Sequence, residues 1–164
     1  MRIRPEEPHD WPEIHALIEA AFGPKAQVDL VQRLRADGDL ILSLTAEDGK
    51  PVGHVAFSRL ALPDAPSMRA CALAPLAVLP QRQRQGIGSA LVREGVKRLM
   101  QEDMDLVLVL GEPSYYGRFG FTADLARRLM TPYDGPYLQA LALSERGKAA
   151  HGPAVYARAF AELG

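Results

Sequence analysis

Hydrophobic positions along this chain change period several times, and each change marks an element boundary. Met1 to Arg4 alternate and predict a short first strand. Trp11, Ile14, Leu17, Ile18 and Phe22 then recur at helical spacing, with Asp10 placed as an N-cap and Pro12 acceptable in the first turn. Val28, Val31 and Leu34 predict a second helix, ended by Gly38.

Strand patterns follow. Leu40 to Thr45 predicts one strand and Pro51 to Leu62 the next, with Asp48-Gly49 between them as a hairpin turn. Pro63-Asp64-Ala65-Pro66 breaks the second, and Arg69 to Leu79 predicts a third, so this portion reads as an antiparallel meander. From Gly86 the period becomes helical: Ile87, Leu91, Val92, Val96, Leu99 and Met100 predict one apolar face, with Arg93, Glu94, Lys97 and Arg98 opposite. Leu106 to Leu110 is a continuous apolar run, as expected of a strand buried on both faces.

Segments 69–79, 86–102 and 105–110 therefore predict one parallel βαβ unit fed by an antiparallel meander. The C-terminal third is less patterned. Tyr115 to Phe119 reads as a short helix, Phe121 to Met130 fits either state, and Tyr137 to Leu143 predicts a strand. His151-Gly152-Pro153 reads as a loop, and Ala154 to Leu163 fits a last strand or a terminal helix.

Composition bounds the function. The 164 residues predict a single domain, 1–164, able to bury a sizeable core. A net charge of −1 gives no global attraction to nucleic acid or an anionic membrane, so an anionic ligand needs a local site. The single cysteine, Cys71, excludes an intramolecular disulfide and sits in an apolar stretch, which favours a buried structural thiol over a nucleophile. No Cys/His grouping has zinc-ligand spacing, and no metal is expected. No stretch reaches the ~20 apolar residues of a membrane span, and the N-terminus lacks a signal-peptide core; a cytoplasmic protein is the expectation.

The run Gln83-Arg84-Gln85-Gly86-Ile87-Gly88 joins a strand to a long amphipathic helix. Backbone amides at a helix start lack intrahelical acceptors, and the helix dipole adds partial positive charge, so a pyrophosphate fits there. Gly86 and Gly88 permit close approach, while Arg82 and Arg84 add local positive charge. A glycine-containing loop that merely starts a helix is the plain alternative. No Lys follows at the Walker position, and Leu91 stands where a dinucleotide loop needs a small residue.

Leu76 to Val92 resembles motif A of the GCN5-related N-acetyltransferases, Gln/Arg-x-x-Gly-x-Gly/Ala after a strand, through Gln83, Gly86 and Gly88. Tyr115-Tyr116-Gly117-Arg118-Phe119-Gly120-Phe121 resembles the family's motif B, and the passage from Gly111 is similar to a branch of small bacterial predicted acetyltransferases. The resemblance implies an α/β (α+β) fold: a mixed, mostly antiparallel sheet flanked by helices, whose parallel crossover opens into the cofactor cleft. It implies acetyl-CoA as acyl donor, its pantetheine arm along Leu76, Ala77 and Val78 and its pyrophosphate on the amides of Arg84, Gln85, Gly86, Ile87, Gly88 and Ser89, after Gln83. It also implies Tyr116 as general acid, four residues before Gly120, rather than Tyr115.

Acetyl transfer to an amine also needs an oxyanion donor, for which the amide near Val78 is the candidate. Glu112, His54 and Asp64 are candidate bases, each with a structural alternative: a half-buried strand histidine for His54, a helix cap for Glu112 and a turn for Asp64. No base is singled out. Many family members place an Asn after the strand preceding motif B; this chain contains no Asn, and Ser114 is the available substitute. The expected reaction is acetyl transfer to a primary amine of a small molecule or protein, with an acyl-CoA-binding sensor as the alternative. A homodimer is the assembly considered, through an exposed sheet edge and the segment 154–163.

Overall fold

The computed structural model describes residues 1–162; Leu163, at the end of the last expected element, lies outside the described residues. In chain order the elements are β1 (Arg2–Pro5), α1 (Trp11–Phe22), α2 (Ala26–Ala36), β2 (Leu40–Glu47), β3 (Pro51–Ala61), β4 (Ala70–Val78), α3 (Ile87–Gln101), β5 (Leu106–Leu110), α4 (Pro113–Tyr116), α5 (Ala123–Ala126), β6 (Leu129–Met130), β7 (Leu138–Ala142), β8 (Gly152–Pro153) and β9 (Val155–Tyr156). A seven-stranded sheet runs in the order β1-β2-β3-β4-β5-β7, with β9 added to β3. Its neighbours are antiparallel except β4 and β5, which pair in parallel across the α3 crossover. This is the mixed sheet that the patterning and the resemblance predict.

The two faces of β3 divide the core. Val55 and Phe57 pack with Ile87, Leu91 and Val92 of α3, while Ile14, Leu17 and Ile18 of α1 cover Ala77 of β4 on the other face. The face of α3 departs from its hydrophobic period. Met100 is exposed, and Gly95 turns inward because the Phe57 ring fills its place: a Cβ at Gly95 would stand 2.5 Å from Phe57 Cε2. A mid-helix glycine costs about 1 kcal/mol, less than the roughly 3 kcal/mol from burying a phenylalanine.

Three other expectations change. Asp10 precedes α1 but makes no side-chain cap; its carboxylate accepts from Arg4 Nη1 at 2.7 Å and Nη2 at 2.8 Å. Gly152–Pro153 is not free loop, since it pairs in parallel with Leu129–Met130. The described part of segment 154–163 holds both expected forms in turn: β9 on β3, then a 3-10 turn over Arg158–Glu162. Cys71 is a fully buried thiol whose pKa burial pushes up, which leaves it unreactive. Among the described residues no helix is long and apolar enough to cross a membrane.

Candidate active site

The site begins where β4 and β5 part. Parallel pairing runs from Ala70 with Leu106 to Leu73 with Val109 and stops, although β4 continues to Val78 along β3. Between Leu73 and Leu76 the β3–β4 register shifts, a bulge at Ala74-Pro75 that re-aims the strand. Beyond it the β5-facing edge of β4 is free along Leu76, Ala77 and Val78. Ala77 turns its side chain under α1, so it offers the cleft only backbone, while Leu76 and Val78 line it.

The turn into α3 is built from left-handed backbone. Arg84 has φ 65° and Gly86 φ 83°, and among the described residues the amides from Arg84 to Ser89 donate no backbone hydrogen bond. Successive amides turned to one side form an anion-binding concavity, here at the start of a 15-residue helix. Gln83 folds back, Nε2 donating to the Val78 carbonyl at 3.1 Å, which ties the turn to the free strand. Arg82 bonds Gln85 Oε1 at 3.1 Å and pairs with Asp48 at 2.9 Å, so its charge is partly spent. Ile87 anchors the helix start against Gly53, where a Cβ would stand 2.8 Å from Ile87 Cγ2.

Motif B closes the opposite wall. The Tyr115 hydroxyl lies 3.4 Å from Ser89 Oγ and so near Gly88 that a Cβ there would stand 2.9 Å away. Arg118 lies over the Tyr115 ring, 4.5 Å from its centroid, and Nη2 donates to Ser89 Oγ at 3.2 Å. Leu76, the Gly86–Ser89 turn, Tyr115 and Arg118 thus enclose a cleft of about 520 Å³. Tyr115 and Arg118 join the cleft in addition to the residues expected from sequence. Their i,i+3 spacing across the short helix was the available signal, since it puts both on one side.

Tyr116 stands outside this lining, at the end of β5. Its ring packs edge-on against Tyr115 (centroids 5.0 Å apart) and Phe121 (5.7 Å), and it presses on Gly111 directly after β5. Burial, with Tyr115 adding to it, pushes the phenol up to about 12, so it stays protonated at neutral pH. Among the described residues its hydroxyl has no hydrogen-bond partner.

A free strand edge, an amide-lined turn and a protonated phenol flank one sheet fork, and comparison with known proteins bears on that arrangement. The profile of the acetyltransferase (GNAT) family matches residues 5–121. The chain belongs to this family. The uncharacterized N-acetyltransferase YhbS of Escherichia coli K12 is 41% identical over 123 residues, which is 74% of this chain and 73% of the relative. The crystal structure of Escherichia coli YhbS in complex with CoA matches at TM-score 0.91 and 34% identity, covering 99% of this chain and 93% of that one. A GNAT family acetyltransferase from Brucella melitensis in complex with acetyl-CoA matches at TM-score 0.82 and 38% identity, over 97% of each chain.

Among the described residues, none of the three candidate bases lines the cleft of this GNAT acetyltransferase. His54 is fully rather than half buried, because the α1–α2 layer covers its face of β3. Its Nε2 lies 2.8 Å from Ser43 Oγ and 3.3 Å from Glu6 Oε1, and Ser43 in turn donates to Glu6 in a short contact. Arg35 completes the group, donating to Glu6 Oε2 at 2.9 Å. Desolvation lowers the His54 pKa, whereas hydrogen bonds and Arg35 hold the Glu6 carboxyl below the usual range despite its burial. A neutral His54 with its proton on Nε2 satisfies this geometry and leaves Nδ1 bare, the one ring atom without a partner. These bonds make His54 a structural residue. Glu112 is exposed and caps α4 through its backbone carbonyl, which accepts from Tyr116 at 3.0 Å. Asp64 lies beside Gly152, and Ser114 faces solvent with a 3.5 Å contact to Glu112.

Proposed function

We propose that this protein is an N-acetyltransferase that moves the acetyl group of acetyl-CoA to a primary amine, both substrates being held together at the β4–β5 fork. The observation that carries this is the turn of unpartnered amides from Arg84 to Ser89, set beside a strand edge that has lost its neighbour. The pyrophosphate takes those amides, and Arg118, stacked on Tyr115, supplies nearby positive charge. The pantetheine arm extends the sheet along Leu76 to Val78, which aims the thioester at the fork.

The neutral amine nitrogen attacks the thioester carbon. A C–N bond forms, the carbonyl oxygen gains charge stabilised by an amide of the free β4 edge near Val78, and the C–S bond then breaks. Tyr116 hydrogen-bonds the departing sulfur, which leaves as thiolate, and the proton lost by nitrogen passes to solvent. A phenol near 12 is a weaker acid than an ordinary thiol, near 8.5, so Tyr116 acts first as a hydrogen-bond donor. Full proton transfer follows only where the cleft also raises the thiolate. Holding both reactants supplies most of the acceleration expected without a strong base. We place this reaction in the cytoplasm, with residues 1–164 acting as one catalytic unit.

Thermal unfolding with and without acetyl-CoA tests the donor assignment. A ligand at 100 times its dissociation constant adds about 2.7 kcal/mol. For a chain of this size that is roughly 5–11 °C in melting temperature. No shift at millimolar acetyl-CoA removes the reading.

A further inference from the structure

A second cavity opens at the same fork, on the α2 side of the sheet, and its lining describes the acceptor. Its lining includes Ala74 of β4 and the exposed Leu110 of β5, the residue before the Gly111 that touches Tyr116. Tyr133, Tyr156 and Phe160 wall it as an aromatic staircase, with ring centroids 5.0 Å and 5.1 Å apart in successive edge-on contacts. No lining residue carries a formal charge; Gln27 on α2 is the polar group at the rim. The volume is about 150 Å³. A dry cavity of about that size, lined by aliphatic and aromatic side chains, accommodates one benzene-sized group.

Resting on the transferase reading above, we infer that the acceptor is a primary amine on a short chain ending in one ring-sized apolar group, and that Tyr133, Tyr156 and Phe160 select it. The ring fills the cavity and the chain crosses Leu110, which brings the nitrogen to the fork beside Tyr116. A carboxylate on the same molecule would enter a pocket with no charged lining residue and with the Asp134 carboxylate acting on Tyr156 beside it, at a cost of several kcal/mol. Amino acids are therefore excluded by charge, and polyamines and lysine side chains flanked by peptide by volume. The apolar surroundings also favour the neutral, attacking form of the amine, which accounts for a fork without a strong base. The Tyr156 phenol has no hydrogen-bond partner among the described residues and offers one polar handle in the wall.

The test measures thiol release from acetyl-CoA with 2-phenylethylamine, ethylamine, ethanolamine and spermidine, with acetyl-CoA-dependent melting recorded on the same protein. The expected kcat/KM for 2-phenylethylamine exceeds that for ethylamine by about a hundredfold, and Phe160→Ala cuts that ratio by about tenfold while keeping the melting shift. Since Phe160 is buried, a measurement on the unaltered protein stands beside the variant. 2-Phenylethanol, the same shape without the amine, inhibits competitively against 2-phenylethylamine and not against acetyl-CoA. A missing melting shift defeats the transferase reading itself. A normal shift with equal rates for ethylamine and 2-phenylethylamine, a preference for spermidine, or no inhibition by 2-phenylethanol overturns the acceptor assignment alone.

Discussion

The Tyr116 ring occupies the space that any side chain at Gly111 would need: a Cβ at Gly111 would stand 2.5 Å from Tyr116 Cε2 and 3.0 Å from Cδ2. The end of β5 and the phenol are thereby held in one arrangement. Tyr116→Phe keeps the ring and removes the donor, so it lowers kcat at least about tenfold, within the usual range for general acid catalysis, and leaves acetyl-CoA affinity nearly unchanged. Gly111→Ala must displace the ring and lowers kcat in the same direction with the hydroxyl still present. Steady-state kinetics and titration with acetyl-CoA check both; equal turnover in Tyr116→Phe would remove the assignment.

Gly88 bears the corresponding relation to the proposed donor site. A methyl there meets the Tyr115 hydroxyl at 2.9 Å, and the first turn of α3 loses its close approach to the ligand. Gly88→Ala weakens acetyl-CoA binding by about tenfold, the loss of one charge-assisted amide contact, with little change in melting temperature of the free protein. Calorimetric titration reads the affinity. Unaltered binding contradicts the use of these amides.

With Tyr116 pushed up to about 12, the phenol remains protonated throughout the usual assay range. The profile of kcat/KM therefore climbs as the acceptor amine loses its proton and shows no descending limb below about pH 10. A descending limb centred near 8 that disappears in Tyr116→Phe would show a far more acidic phenol.

The Glu6–Ser43–His54–Arg35 group makes a separate prediction about stability. Glu6 is depressed in the folded state, so its contribution is present above the unfolded value, near 4.3, and is lost as pH falls through the folded one. His54 is depressed as well, so the unfolded chain takes up its proton first and stability begins to fall below about pH 6.5. Both act in one direction. Glu6→Gln removes charged hydrogen bonds worth about 2 kcal/mol. For a chain of this length the melting temperature at pH 7 then drops by roughly 6 °C. The gap from the unaltered protein narrows as pH is lowered toward 3. A gap independent of pH would assign the loss to packing.

Elements with a long, regular period were legible in the sequence, because their burial is decided locally: α1, α3, the meander and β5 stand where their patterns place them, although Leu110 at the end of β5 is exposed rather than buried. The errors share a cause in distant partners. Met100 fits the period of α3, but the Phe57 ring claims the space beside Gly95. Asp10 sits at a cap position and instead answers the Arg4 guanidinium from β1. Gly152–Pro153 pairs with a strand more than twenty residues earlier, for which no short-range signal exists. The turn of unpartnered amides was legible because it is one contiguous run; the aromatic cavity was not, because Gln27, Tyr133 and Phe160 come from three separated segments.

The central claim is the transfer itself, and the most direct measurement follows free thiol and acetylated amine together in one reaction of protein, acetyl-CoA and a primary amine. The account predicts thiol release that depends on the amine and equals the acetylated product mole for mole. Acetyl-CoA that raises the melting temperature while amines release no thiol beyond the amine-free rate would contradict it, and would leave a protein that binds the donor without passing on its acetyl group.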